Sequence, residues 1–439
     1  MDVNEIESYF DRLWPLNRSL TGEGNRQTIK ILSELVPFNV TEVPAGTSCY
    51  DWKVPAEWNV KEAWIKDTKG NIIIDFSNNN LHLMGYSIAC HELLSYDNLI
   101  KHLYYIQAQP EAIPYRTSYY TKRWGFCLSY NQFLSLNPKE QYEVFIDSCH
   151  NEEGSMTVAE AVIEGESKEE IVFSSYICHP SLANNELSGP LVLCYLYSLI
   201  RQKLVKPRYT YRFLLMPETI GSIWYISHHF EHLQKYVKGG MILTCIGDAA
   251  PYSLKKSRRG DSLLEAATEY IAKSRYPNTC VIDFFPLGSD ERQYCSPGVN
   301  LPFCSLMHSV YGTFKEYHTS LDNKSYISFE VIQQSTEDLY DVIRILENDG
   351  RYFNQMPMCE PQLGKRGLYP TISAPNARSK VTDAMMWILN YSDGKHTLFD
   401  ILKKAQLPIG SFLEAKDVLI KNGILKYEER TTPHYSSYF

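Results

Sequence analysis

The chain of 439 residues is short of the features that would place it at once. No run approaches the ~20 apolar residues of a membrane-spanning helix, so no membrane partner is expected. The opening "MDVNEIESYFDRLW" lacks the basic start and apolar centre of a secretory leader. C-x-x-C pairs are missing as well. The eleven cysteines are odd in number, and several (Cys178, Cys194, Cys245) lie inside apolar runs. They read as reduced core residues of a cytoplasmic protein, not as a disulfide frame. There is no excess of positive charge. The net charge of −8 gives no general attraction to nucleic acid or anionic membranes. No G-x-x-x-x-G-K-[ST], no G-x-G-x-x-G after a strand and no G-x-S-x-G elbow is present, which argues against P-loop, dinucleotide-binding and serine-hydrolase chemistry.

What is present divides into three textures. Residues 4–36 read as two helices with a break at "PLNRSLTGEGN". Residues 48–140 are rich in Trp and Tyr, with short alternating runs ("EAWIKD", "NIIIDFS"), and read as a β-rich insert that dimerises the chain or lids a cleft. Its Trp52, Trp58, Trp64 and Trp124 read as core. From about 155, strands and helices alternate ("IVFSSYIC", "GPLVLCYLYSLIRQ", "YTYRFLLMP", "GGMILTCIG"), which predicts a mostly parallel sheet covered on both faces. After "NQMPMCEPQLGKRGLYP", three short helices and the strand "ILKYEE" resemble a winged helix. The expected domains are 1–47 with 141–355, the insert 48–140, and the winged helix 365–439. That last unit has no dense basic stripe, so nucleic acid is not the expected partner.

Chemistry-bearing residues fall at strand ends, where α/β sheets form their sites. "SSYIC" ends on His179, "YRFLLMP" on Glu218 and "MILTCIG" on Asp248. "GSDERQYC" brings Asp290 and Arg292, and "KEYHTSLDN" brings His318 and Asp322. Two imidazoles and a carboxylate on one sheet edge suit zinc, and a carboxylate beside zinc can take a proton from bound water. Asp290 and Arg292 are expected to line a substrate pocket, with Arg292 able to clamp a carboxylate. His228, His229 and His232 share a helix without a third ligand and read as surface.

The order strand–His179, "ANNELSG", "PETIGS" and "YHTSLD" resembles zinc exopeptidases of the leucyl-aminopeptidase type, and more closely a bacterial aminopeptidase-like group with an inserted domain and a C-terminal winged helix. The resemblance implies a zinc-exopeptidase-like (phosphorylase/hydrolase-like) α/β fold, a mixed sheet with helices on both faces. It implies that His179 and His318 are metal ligands and Glu218 the general base. Three carboxylate ligands of the family are not matched. The bridging aspartate falls on Asn184, the glutamate after the base on Thr219, and the third carboxylate near Thr244. One zinc ion is therefore expected, held by His179, His318 and Glu218, with Glu186 or Asp248 in reserve and Asn184 facing substrate. The expected function is hydrolysis of an amide bond in a small, peptide-like substrate. The alternatives are an amidohydrolase acting on modified sugars and a non-catalytic binding or regulatory protein on the same scaffold.

Overall fold

The computed structural model describes residues 2–369 and 379–428. Within them the chain forms two compact units, one from residues 1–260 and 275–337, the other from 261–274 and 338 onward.

The first unit is built on an eight-stranded mixed sheet. In chain order its strands are β1 (Asn39–Pro44), β2 (Ser155–Ile163), β3 (Glu170–Tyr176), β4 (Thr210–Met216), β5 (Val237–Leu243), β6 (Ser253–Lys255), β7 (Cys280–Ile282) and β8 (Phe303–Met307). They lie side by side as β1-β2-β4-β3-β5-β8-β6-β7. Pairings β4–β3, β3–β5 and β5–β8 are parallel. All residues of β3 and β8 are buried, as expected of central parallel strands covered on both faces. Helices α1 (Ser188–Lys203) and α2 (Ile220–Tyr236) follow β3 and β4. Because these four strands run the same way, the segments leaving their carboxyl ends emerge on one edge. His179, Glu218, Thr244 and the loop that carries His318 all lie there. Strand β8 was not among the expected strands. Its signal was the buried run "LPFCSLM", too short to separate from loop by periodicity.

The insert builds its own four-stranded antiparallel sheet from Ile72–Asp75, Glu57–Asp67, Gln141–Asn151 and Cys90–Ser95. Gln141–Asn151 is a central strand, so the sheet runs past the expected boundary at 140. Trp58, Trp64 and Trp124 are buried as expected, whereas Trp52 is exposed.

In the second unit, helices Lys380–Tyr391, Leu398–Ala405 and Ile409–Lys421 are joined by a three-stranded sheet of Asp393–Thr397, Arg351–Asn354 and Leu425–Tyr427. Its central strand, Arg351–Asn354, starts well before the expected boundary at 365. Parts of that expected domain, residues 370–378 and 429–439, lie outside the described residues.

The insert is tied to the sheet by charge. Arg26 forks onto both oxygens of Glu57 at 2.8 and 2.5 Å, and the Ser155 N–H donates to Glu57 at 3.0 Å. This guanidinium holds the Glu57 carboxyl down to about 2, against about 4.3 in an unfolded chain. A carboxyl depressed on folding contributes stability that is complete above its unfolded pKa and is lost as the pH falls through the folded one. Glu57→Gln should therefore lose at most about 3 kcal/mol at pH 6, and the gap to wild type should shrink by pH 3. Urea unfolding at both pH values measures it, and a gap independent of pH would contradict this role.

Candidate active site

After Tyr176 the chain continues through Cys178 to His179. A single π-turn, Ala183–Leu187, then feeds α1. Helix α1 starts directly on the sheet edge. A Cβ at Gly189 would lie 2.3 Å from both the Leu243 carbonyl oxygen and Ser175 Oγ, so only glycine permits this approach. Asp322, from "YHTSLD", fastens the turn from the other side. Its carboxylate oxygens accept the N–H groups of Asn184 (2.7 Å) and Asn185 (2.9 Å), and its carbonyl accepts that of Ala183 (3.0 Å).

The two histidines meet here, their ring centroids 5.3 Å apart. His179 turns Nδ1 to Glu186 Oε2 at 2.9 Å and Nε2 toward Glu218 Oε2 at 3.9 Å. His318 Nε2 is buried without a hydrogen-bond partner. Burial holds both imidazoles down to about 3, so both are neutral at physiological pH. Behind His179 lies Arg18, 1% exposed. Its Nε is 3.3 Å from Glu186 Oε1 and donates to the His179 carbonyl at 3.1 Å, and Nη1 donates to the Leu13 carbonyl at 2.6 Å. Burial pushes the Glu186 carboxyl up, and Arg18 opposes that rise.

Glu218 stands at the start of α2 with its side chain 25% exposed. Burial of its carboxyl, reinforced by Asp290, pushes it up to about 8. The next residue, Thr219, has φ +66° and ψ −73°, a conformation that must be held in place. Asp290 does this by accepting the Thr219 N–H at 2.7 Å and Ser222 Oγ at 2.8 Å, while Arg292 Nη2 donates to Thr219 Oγ1 at 3.0 Å. Positive φ at non-glycine residues recurs around the site, at Tyr119, Ser181, Thr219, Cys245 and His318.

The insert completes the arrangement. Residues 113–115 pair with the His318 loop through Tyr115 N–H to the His318 carbonyl (2.7 Å), Ser320 N–H to the Ile113 carbonyl (2.9 Å) and Ile113 N–H to Ser320 Oγ (3.0 Å). This puts the Tyr115 ring 5.1 Å from each imidazole. Tyr176, also 5.1 Å from His179, hydrogen-bonds Thr244 Oγ1, and Tyr317 stacks on His318 at 3.9 Å.

A family model described as a domain of unknown function, DUF4910, matches residues 8–349, and a winged helix-turn-helix model matches 350–427. The chain belongs to the DUF4910 family. It is 42% identical, over 96% of both chains, to a Clostridium acetobutylicum protein named for polysaccharide biosynthesis with an aminopeptidase-like domain. A crystal structure from the same species, provisionally titled a peptidase, superposes with a TM-score of 0.89 at 41% identity over 97% of this chain and 96% of that one. The zinc aminopeptidase BSAP of Bacillus subtilis (TM-score 0.54, 12% identity, 78% and 94% covered) and a peptidase M28 precursor of Shewanella amazonensis (0.54, 14%, 79% and 92%) share the fold. The DUF4910 unit thus has the zinc-aminopeptidase fold, followed by a winged helix. Among the described residues no helix is long and apolar enough to cross a membrane.

Of the residues singled out in the sequence, His179 is approached by the His318 ring at 5.3 Å and by Glu218 Oε2 at 3.9 Å. Asn184 does not face a substrate. Its Nδ2 donates to Asp248 at 2.7 Å, its Oδ1 accepts the Gly247 N–H at 2.8 Å, and the side chain is fully buried. The free amide belongs to its neighbour, since Asn185 Nδ2 is buried with no partner. Asp290 is also committed to the scaffold, through Thr219 and Ser222. Arg292 is partly buried, and its Nε has no partner. The reserve ligands are taken. Glu186 stands behind His179, and Asp248 accepts from Asn184, Ala250 N–H, Ser309 N–H and Ser309 Oγ. Cys178 Sγ, His179 Nδ1 and Glu186 lie within 4.8 Å of one another. Two of those atoms already bond each other and Cys178 Sγ accepts the Glu218 N–H at 3.2 Å, so this cluster is the back wall of the site. His232 pairs with Glu170 at 2.8 Å and plays no part here.

Neutral imidazoles, a buried Nε2 without a partner and a carboxylate facing the other Nε2 fit one zinc ion. A carboxylate on the far imidazole nitrogen is the usual outer partner of such a ligand. The charge behind it should show in stability. Arg18→Met leaves a buried carboxyl without its cation and should destabilise the fold by about 3–5 kcal/mol, whereas Arg18→Met with Glu186→Gln should recover much of that loss. Equal losses in urea unfolding would mean that Arg18 acts only by packing.

Proposed function

We propose that this chain is a single-metal hydrolase of an amide bond in a small substrate, built on the aminopeptidase scaffold. The observation that supports this reading is the buried, unpartnered Nε2 of His318, on a ring 5.3 Å from that of His179, together with Glu218 Oε2 at 3.9 Å from His179 Nε2. His179 and His318 would be the nitrogen ligands and Glu218 the third donor. Asn184, Thr219 and Thr244, where the resemblance would place carboxylates, supply no charge for a second ion. Bound zinc supplies an acidified water and polarises a carbonyl.

The chain's own residues then divide the remaining work. Glu186 keeps the His179 Nδ1–H in place, so that Nε2 faces the site as a lone pair. Arg18 keeps Glu186 oriented. Asp290 and Arg292 fix the strained Thr219 and through it the direction of Glu218. Glu218 would be the third donor to the ion, and its carboxyl would be the group placed to take a proton from water and return it to the leaving nitrogen. A modified-sugar amide is the second reading of the substrate, favoured by the name of the Clostridium relative.

Elemental analysis after zinc loading should find one ion per chain. His179→Ala and His318→Ala should lose tight binding. Glu218→Gln should weaken zinc by at least tenfold and cut turnover by roughly 10²–10⁴. Two ions in the wild type would contradict the reading, as would none.

Zinc affinity should also depend on pH in a defined sense. A carboxyl with its pKa at about 8 must lose a proton to bind metal, so affinity should rise by about tenfold per unit from pH 6 to 8. Both imidazoles are already neutral in that range. Titration calorimetry should find the slope absent in Glu218→Gln. A slope that persists there would assign the proton to another group.

A further inference from the structure

The carboxylates around the histidine pair are nearly all occupied. Glu186 is held between His179 and Arg18. Asp248 takes four donors from Asn184, Ala250 and Ser309. Asp322 takes the backbone of Asn184 and Asn185. Asp290 takes Thr219 and Ser222. Among the described residues, Glu218 is the carboxyl that approaches His179 Nε2, at 3.9 Å, and the hydrolytic reading already employs it. A substrate with a free α-ammonium would enter a buried site with no carboxylate left to receive it, and burying an unpaired charge is strongly unfavourable.

What the site offers instead is neutral. The phenols of Tyr115, Tyr176 and Tyr317 pack around the imidazoles. On the π-turn, Asn185 Nδ2 is an N–H donor 1% exposed and without a partner. Its neighbour Glu186 is bonded to His179, its N–H is pinned by Asp322, and its Oδ1 faces Cys245 Sγ at 3.9 Å. An orphaned donor calls for an acceptor oxygen and repels a cation.

From these two observations we infer that the site selects N-acylated amines, that is neutral amides, over substrates with a free α-amino group, Asn185 donating to the acyl oxygen. This deepens the hydrolytic reading and rests on it for the reaction. In that reaction water adds to the acyl carbon, the C–N bond breaks, and a proton from water passes to the leaving nitrogen. Both protons of the water end on the nitrogen, so the products are a carboxylate and an ammonium, and no other reactant is needed.

The experiment compares matched pairs on the full-length protein. Acetate release from N-acetylleucine and N-acetylglucosamine, and leucine release from leucinamide and leucylglycine, are followed with the zinc-loaded chain at pH 7. Binding of N-acetylleucinamide and leucinamide to the metal-free chain is measured by calorimetry. The N-acetyl compounds are expected to be favoured by at least tenfold in kcat/KM and in binding. Asn185→Asp should narrow or reverse the preference, and Asn185→Ala should weaken the N-acetyl ligand without improving the free amine. Equal or tighter binding of the free amine overturns the inference, as does faster turnover of leucinamide, and the latter leaves the hydrolase intact. No turnover of any compound, with the N-acetyl preference kept in binding, overturns the hydrolytic reading and supports the selectivity.

Discussion

The site depends on one buried chain of contacts, Arg18 to Glu186 to His179. Glu186 fixes how the imidazole is turned, Nδ1 toward itself and Nε2 toward Glu218, and Arg18 makes a carboxyl tolerable at that depth. Such a pair is costly to bury and costlier to break. Its position is consistent with that cost. It lies beneath a π-turn clamped by Asp322 and at the start of a helix that only Gly189 lets approach the sheet. The four parallel strands set where these groups emerge, and the buried pair sets how His179 is turned.

On this fold the charge at the edge differs from what the family resemblance would place there. Amides and hydroxyls stand at Asn184, Thr219 and Thr244, and the polypeptide uses them structurally as well. Thr244 hydrogen-bonds Tyr176, and Thr219 is locked by Asp290 and Arg292. The insert contributes to the same place by pairing its 113–115 segment with the His318 loop. Its Tyr115 therefore acts as part of the wall of the site, consistent with the insert acting at the cleft as well as building a sheet of its own.

Much of this was legible in the sequence, for identifiable reasons. The buried strands are long enough to read, and polar residues at their ends stand out against apolar runs, so His179, Glu218 and His318 could be assigned to one edge. Asn184 was expected to face substrate, whereas its amide is bonded to Asp248 and Gly247. A π-turn carries an extra residue relative to an α-turn, and counting along the chain does not say which amide turns inward. Tyr115 was invisible because a tyrosine in a tyrosine-rich insert carries no local signal, and its role arises from pairing with a loop some 200 residues away. Arg18 lies in a helix break and reads as surface until the fold buries it. Strand Arg351–Asn354 was hidden in a stretch that composition marks as linker.

The central claim is that one metal sits on the Nε2 side of the histidine pair, with Glu186 and Cys178 behind. Zinc K-edge X-ray absorption of the loaded, full-length protein tests it most directly. The account predicts a first shell of nitrogen and oxygen only, with the outer-shell pattern of two imidazoles and no zinc–zinc vector. A sulfur scatterer near ~2.3 Å would place the ion on Cys178, and a metal–metal vector would restore a dinuclear centre. Either result would contradict the account.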